Sequence, residues 1–176
     1  EKEPEKVVEF CRNNDIPKII YTSSSRVLER EKNPYTSSKL YGEELLKAYN
    51  QCYGLEYVIV RPSTVYGPFD DKTSRLVDIW IRSSLNGGEL KIFGTPGKTL
   101  DFTYIDDFIQ GFLLATTQKN KEFNIAGGKP IALDYVADLI INLAGNGFKK
   151  FYPPEIAQPQ EPKVDISDMM SLGYNP

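Results

Sequence analysis

Asn33-Pro34-Tyr35-Thr36-Ser37-Ser38-Lys39 is followed by Tyr41, Leu45, Ala48, Tyr49 and Cys52 at helical spacing, and then by Gly54. Asn33 suits an N-cap, Pro34 the first helical position and Gly54 the stop, so the stretch predicts one helix to about Tyr53. Apolar runs flank it, Ile16 to Thr22 before and Tyr57-Val58-Ile59-Val60-Arg61 after. The second run is continuous rather than alternating, as in a parallel strand buried on both faces. Strand, helix, strand in this order predicts a parallel unit, and the remaining chain is read outward from it.

On the N-terminal side, Glu5 to Asn13 predicts a helix with Val7, Val8 and Cys11 on one side, and Asn14-Asp15 a turn. The strand Ile16 to Thr22 ends in Ser23-Ser24-Ser25, and a charge-rich loop runs to Lys32. Beyond the Gly67-Pro68 turn, a helix from about Ser74 to Leu85 stops at Gly87-Gly88. Strands follow at Leu90 to Phe93 and Leu100 to Ile105, separated by Pro96-Gly97. Asp106 or Asp107 then caps a helix to about Thr117. The strand Phe123 to Ala126, a helix Leu133 to Leu143 and a strand Phe148 to Tyr152 come next. Pro153 to Pro162 reads as irregular, and a short helix ends at Gly173. Strands alternating with helices predict an α/β fold around a largely parallel sheet.

A chain of 176 residues makes one ordinary domain or parts of two. Its net charge of −3 and pI near 5.1 argue against nucleic acid or an anionic membrane as main partner. No apolar run approaches the ~20 residues that cross a bilayer, and the N-terminal residues show no signal-peptide pattern. Cys11 and Cys52 read as reduced core residues of a cytoplasmic protein. The sequence contains no histidine. That excludes a Ser-His-Asp hydrolase, a Cys-His protease and a histidine-ligated zinc within this chain, and no metal site is expected.

Acid–base chemistry therefore falls to Tyr, Lys, Asp, Glu or Cys. Tyr35 and Lys39, four apart, share one helix face, where the ammonium favours the phenolate and makes Tyr35 a usable base. A hydroxyl of the serine run can share a proton with the same substrate oxygen, which outlines hydride-transfer chemistry. On spacing alone the pair reads first as an ordinary solvated helix pair, and Ser23 to Ser25 equally as a polar strand-end turn. Trp80 reads as core, Asp101 as structural, Asp106-Asp107 as a helix cap, and Gly127-Gly128 as a turn rather than a phosphate loop.

Further stretches recur in one order: Ile19-Ile20-Tyr21-Thr22-Ser23-Ser24-Ser25, Arg61-Pro62-Ser63-Thr64-Val65-Tyr66-Gly67-Pro68, Leu90 to Gly94, and Asp101-Phe102-Thr103-Tyr104-Ile105-Asp106-Asp107. Phe123 to Gly128 and Asp165-Ile166-Ser167 with Leu172-Gly173-Tyr174 complete the series. Together they resemble the extended short-chain dehydrogenase/reductases, the NAD-dependent epimerases and dehydratases of nucleotide sugars. The resemblance implies a doubly wound, Rossmann-type sheet, incomplete here, with a smaller C-terminal α/β substrate-binding part. Residues 1–67 and 99–126 would belong to the dinucleotide-binding portion, and 68–98 and 127–176 to the substrate-binding portion.

In that family's scheme Tyr35 takes the proton of a sugar hydroxyl while NAD accepts hydride from the same carbon. Lys39 binds the nicotinamide ribose and favours the phenolate, and Ser24 bonds the reacting oxygen. Ser23 and Ser63 join Tyr35 and Lys39 as cofactor-binding residues. Ser25, Thr64, Arg75, Phe93 and Leu100 fall at substrate-binding positions. A UDP-hexose 4-epimerase is the implied activity, with a homodimer through the Tyr35 helix. A dehydratase or reductase of the same family is the first alternative, and a non-catalytic binding protein the second. Ser25 and Arg26 occupy positions where family dehydratases carry an acidic pair, and this favours epimerisation.

Departures from the pattern are also expected to matter. No Gly-x-x-Gly-x-x-Gly turn is present to cradle a pyrophosphate. The chain therefore reads as a family member lacking its N-terminal part, inactive and without tight NAD binding on its own. Ser24 and Tyr35 lie only eleven positions apart, and Val27-Leu28 stands where Val-Tyr-Gly is common. Thr64 replaces a frequent asparagine and Leu100 a frequent arginine, with Arg75 and Lys98 as candidate substitutes.

Overall fold

The computed structural model describes residues 3–29, 32–68, 75–155 and 163–176. Its first half runs α1 (Glu3–Asn13), β1 (Lys18–Thr22), a 3-10 helix (Ser25–Leu28), α2 (Pro34–Tyr53), β2 (Glu56–Pro62) and β3 (Thr64–Tyr66). The second half runs α3 (Leu76–Leu85), β4 (Glu89–Phe93), β5 (Thr99–Tyr104), α4 (Ile105–Thr116), β6 (Lys121–Ile125), β7 (Pro130–Ala132), α5 (Leu133–Ala144), β8 (Phe148–Tyr152) and α6 (Ser167–Ser171).

β2 lies at the centre of a parallel sheet, β1-β2-β6, with Ile20 opposite Val58 and Val60 opposite Phe123. Successive side chains of a strand point to opposite faces, and β2 fills both. Val58 and Val60 pack with Phe123, Ile125, Ala115 of α4 and Met169 of α6. Ile59 packs on the other face with Val8 and Cys11 of α1, Leu46 of α2 and Leu55. Val58, Ile59 and Val60 are wholly buried, each stabilising the fold by roughly 1.5–3 kcal/mol over an exposed position. Helices therefore cover both faces of a parallel sheet, the doubly wound arrangement expected from the continuous apolar run. Among the described residues β1 pairs with β2 alone.

A second core lies under α3 and α5, where Trp80, Leu90, Ile92, Leu100, Leu133, Ala137 and Ile140 meet. β4 and β8 run parallel beside it, while β5 pairs parallel with β3 and antiparallel with β7.

Several local expectations need correction. β3 and β7 have three residues each, too few to show a period, and the 3-10 helix replaces an expected loop. Asp106 and Asp107 do not cap α4. Tyr104 is its N-cap and the two carboxylates lie inside the first turn, where they complement the positive end of the helix dipole. Cys52 is exposed, whereas Cys11 is buried, and both are free thiols. The expected helix start at Ser74 lies outside the described residues, as does most of Pro153 to Pro162; α3 begins at Leu76 with Arg75 as N-cap. Among the described residues no helix is long and apolar enough to cross a membrane.

Candidate active site

The first turn of α2 is fixed by a reciprocal cap. Thr36 N–H donates to Asn33 Oδ1 at 2.9 Å, and Asn33 N–H donates to Thr36 Oγ1 at 2.8 Å. Pro34 occupies the first helical position, and Gly54 closes the helix at φ 72°. Tyr35 and Lys39 therefore project from a helix end with little freedom to fray.

Lys39 Nζ donates to the main-chain oxygen of Thr22, the last residue of β1, at 3.0 Å. The same ammonium lies 5.4 Å from the Tyr21 ring centroid and 5.9 Å from that of Tyr35. It is held between two aromatic rings, within reach of the attraction that a ring face exerts on a cation. Gly42 makes this possible. A Cβ there would lie 2.5 Å from Tyr21 Cζ, so the absent side chain lets the Tyr21 ring lie against α2, with its hydroxyl donating to Lys39 O at 3.4 Å. Tyr35 stays half-exposed, and the Arg26 guanidinium carbon stands 5.8 Å from its ring centroid.

Ser23 extends the β1 ladder, its N–H donating to Val60 O at 2.8 Å. Ser24 Oγ accepts from Arg26 N–H at 3.3 Å and caps the 3-10 helix. The hydroxyls of Ser23 and Ser25 are buried and make no hydrogen bond among the described residues. A buried polar group left unpaired costs about 1–3 kcal/mol, so two at one strand end mark a place for ligand donors and acceptors. Ligands of open α/β sheets bind at the carboxyl ends of the strands, and this is the carboxyl end of β1. The serine hydroxyls and the Lys39 ammonium fit the ribose and amide groups of a dinucleotide.

Ser63, just past β2, donates from its hydroxyl to Asp101 Oδ1 at 2.8 Å and lies 2.6 Å from Thr103 Oγ1. Gly127 N–H donates to the same Asp101 oxygen at 2.7 Å. Burial pushes the Asp101 carboxyl above its usual range, opposed by Ser63 and by the N–H groups of Gly127, Gly128 and Lys129. A Cβ at Gly127 would come within 2.5 Å of Phe102 O, so only glycine allows this close turn. Asp101 thus ties β5 to the turn after β6.

The remaining candidates lie on β3, at the start of α3, on β4 and on β5. Thr64 opens β3, and Arg75 donates from Nη1 to Val65 O at 3.4 Å. Phe93 packs against Tyr152 with ring centroids 5.5 Å apart, and Leu100 is buried in the second core. Tyr21 and Gly42 escaped the sequence reading, because nothing in spacing or composition marks a residue two positions before the serines as a support for Lys39. Among the described residues no three metal-ligating side chains cluster.

Residues 4–126 match the model of the NAD dependent epimerase/dehydratase family. A putative UDP-glucose 4-epimerase of Methanocaldococcus jannaschii is 33% identical over 97% of this chain and 61% of its own length. The crystal structure of the UDP-glucuronic acid 4-epimerase from Bacillus cereus, in complex with UDP-glucuronic acid and NAD, superposes with a TM-score of 0.89 at 28% identity. That match covers 98% of this chain and 60% of that one. The UDP-glucose 4-epimerase of Thermus thermophilus, in complex with NAD, shares the fold at 24% identity and a TM-score of 0.88, over 98% of this chain and 63% of that one. The chain thus spans about 60% of the length of the first curated relatives it matches. With the Tyr35–Lys39 face, the serine-lined strand end and the doubly wound sheet on one side and these matches on the other, the chain belongs to the NAD dependent epimerase/dehydratase family.

Proposed function

We propose that the whole protein epimerises a nucleotide sugar, in the manner of a UDP-hexose 4-epimerase, with NAD as resident cofactor. The observation that carries this reading is the Lys39 ammonium held between Thr22 O and the Tyr35 ring, beside the buried hydroxyls of Ser23 and Ser25. When bound, NAD supplies a hydride acceptor that later returns the hydride to the sugar. Tyr35 takes the proton from the reacting hydroxyl and gives it back, acting as base and then as acid. Lys39 favours the phenolate and holds the ribose, Ser24 orients the reacting oxygen, and Ser23 and Ser63 complete the cofactor contacts. Ser25, Thr64, Arg75, Phe93 and Leu100 are the proposed substrate side.

Elimination of water needs a placed acid and base beyond Tyr35. Ser25 and Arg26, immediately after Ser24, supply no carboxylate, which favours epimerisation over dehydration. Residues 1–67 and 99–126 are assigned to dinucleotide binding, 68–98 and 127–176 to the sugar nucleotide, and α2 to a homodimer contact in the cytoplasm. A second reading, a binding protein without turnover, has support in Ser24, whose oxygen is occupied by Arg26 N–H, and in Leu100, turned into the core.

The test is incubation of the whole protein with NAD and UDP-glucose, with products separated by anion-exchange chromatography and identified by NMR. Formation of UDP-galactose is expected. A dehydrated keto-sugar product would move the assignment to a dehydratase, and binding without conversion would favour the second reading.

A further inference from the structure

We infer that Tyr21 is a positioning residue for the reaction. Its ring fixes the Lys39 ammonium at the end of β1 and so readies it for the cofactor ribose and for Tyr35. The role rests on the nucleotide-sugar reading above and adds to it a residue that acts through Lys39 rather than on the reacting atoms.

Strand alternation turns Tyr21, with Ile19, toward α2, and both pack against the cluster of Val8, Leu46 and Ile59. Two residues of α2 receive the ring. Its hydroxyl donates to Lys39 O at 3.4 Å, and its Cζ occupies the space that a Cβ on Gly42 would need. Lys39 and Gly42 are three positions apart and share one helix face. The ring therefore lies along the turn from which the lysine projects, and Lys39 Nζ stands 5.4 Å from its centroid.

The residue after Tyr21 supplies the second hold. Thr22 O accepts from Lys39 Nζ at 3.0 Å, and the same peptide unit is pinned to β2 by Ser23 N–H, which donates to Val60 O at 2.8 Å. A lysine carries its charge on a flexible four-carbon stem, with three rotatable donors. One acceptor fixes one donor and leaves the stem free to swing about it. An aromatic ring beside the ammonium attracts the charge and removes that freedom. With one donor on Thr22 O, the other two are left for the hydroxyls of a ribose, and the charge stays 5.9 Å from the Tyr35 ring centroid. Phenylalanine at position 21 would keep the ring; leucine would keep an apolar side chain against α2 and lose the attraction.

Two measurements on the whole protein test this. The first is a proton–carbon correlation spectrum with isotope-labelled lysine, recorded without cofactor, with Lys39 assigned through Lys39→Arg. The Lys39 protons next to Nζ should be shifted upfield by the Tyr21 ring, a shift that Tyr21→Phe keeps and Tyr21→Leu diminishes. The second is calorimetric titration of the cofactor-free protein with NAD and with ADP, which lacks the nicotinamide ribose, beside steady-state turnover of UDP-glucose. Tyr21→Leu should weaken NAD binding about threefold to thirtyfold, the span of a cation–ring contact from exposed to desolvated. It should lower kcat by a similar factor while the KM for UDP-glucose and the affinity for ADP stay nearly unchanged, and Tyr21→Phe should lie closer to the wild type. Lys39 protons at ordinary positions in the wild type would overturn the inference. So would leucine and phenylalanine variants that behave alike, or a loss shared equally by NAD and ADP, since Tyr21 would then serve folding alone. If Tyr21→Leu fails to fold, the wild-type spectrum still decides. Shifted Lys39 protons in a whole protein that binds neither NAD nor ADP would instead refuse the nucleotide-sugar reading, and the role of Tyr21 with it.

Discussion

Glu43 and Arg61 close a two-point ion pair between α2 and β2, with Arg61 Nε donating to Glu43 Oε1 at 2.8 Å and Glu43 wholly buried. Glu43 lies one turn beyond Lys39 and two beyond Tyr35, on the same face of the helix. Arg61 also pairs with Glu122 of β6, and Glu122 pairs with Lys47, again on α2. The four side chains form a continuous chain of ion pairs that anchors the helix carrying Tyr35 to two strands.

Removing Glu43 takes two hydrogen bonds from Arg61 and leaves it with Glu122 alone. Breaking a buried pair outright costs about 3–5 kcal/mol, and with one partner kept the loss falls at the lower end of that range. Glu43→Ala is expected to lose stability on that scale, read from the urea midpoint. Lys47→Ala, at the more exposed end of the chain of ion pairs, should cost under about 1 kcal/mol.

The same ion pairs make stability depend on pH. Burial works against the charge on Glu122, but the hydrogen bond from Lys47 and the charge of Arg61 outweigh it, and its carboxyl sits below the ordinary range. A carboxylate depressed in the folded state stabilises the fold fully above its unfolded value, and loses that contribution as pH falls through the folded one. The urea midpoint should therefore fall as pH drops below about 4.3, the unfolded glutamate value. Glu122→Gln should show a shallower acid decline, and an unchanged slope would refute the assignment.

Gly42 and Tyr21 form a coupled support beneath Lys39. Gly42→Ala places a methyl 2.5 Å from Tyr21 Cζ, and such overpacking costs roughly 1–3 kcal/mol. Combining it with Tyr21→Ala should recover most of that cost. A double-mutant cycle by thermal or chemical denaturation measures the coupling, expected at about 1 kcal/mol or more.

Asp101→Ala strips partners from Ser63 Oγ and Gly127 N–H. A stability loss of about 2–3 kcal/mol is expected from leaving such groups unpaired. Amide hydrogen exchange should quicken at Gly127 before it quickens in β2, because the turn is released while the sheet centre is not.

Much of the fold was legible because β2 breaks the usual alternation. Val58-Ile59-Val60 can be buried together only if both sheet faces are covered, and the structure covers them with α1 and α2 on one side and α4 and α6 on the other. The start of α2 was legible as well, since Asn33 and Pro34 state their positions by chemistry. The three-residue strands β3 and β7 carry no period of their own and exist through β5, a neighbour distant in sequence. The cap of α4 was misplaced because aspartate is favourable both as a cap and within the first turn. At the site, Tyr35, Lys39 and the serines could be read from spacing, whereas the Tyr21 ring under Lys39 depends on tertiary packing against Gly42.

In the proposed reaction Tyr35 is the group that moves the proton. Replacing it by phenylalanine in the whole protein keeps the ring and removes only the hydroxyl, and steady-state epimerisation of UDP-glucose reads the outcome. General acid–base catalysis is worth about 10²–10⁴-fold, so kcat should fall by at least about 100-fold while KM and the Kd for NAD stay nearly unchanged. Turnover equal to wild type would contradict it.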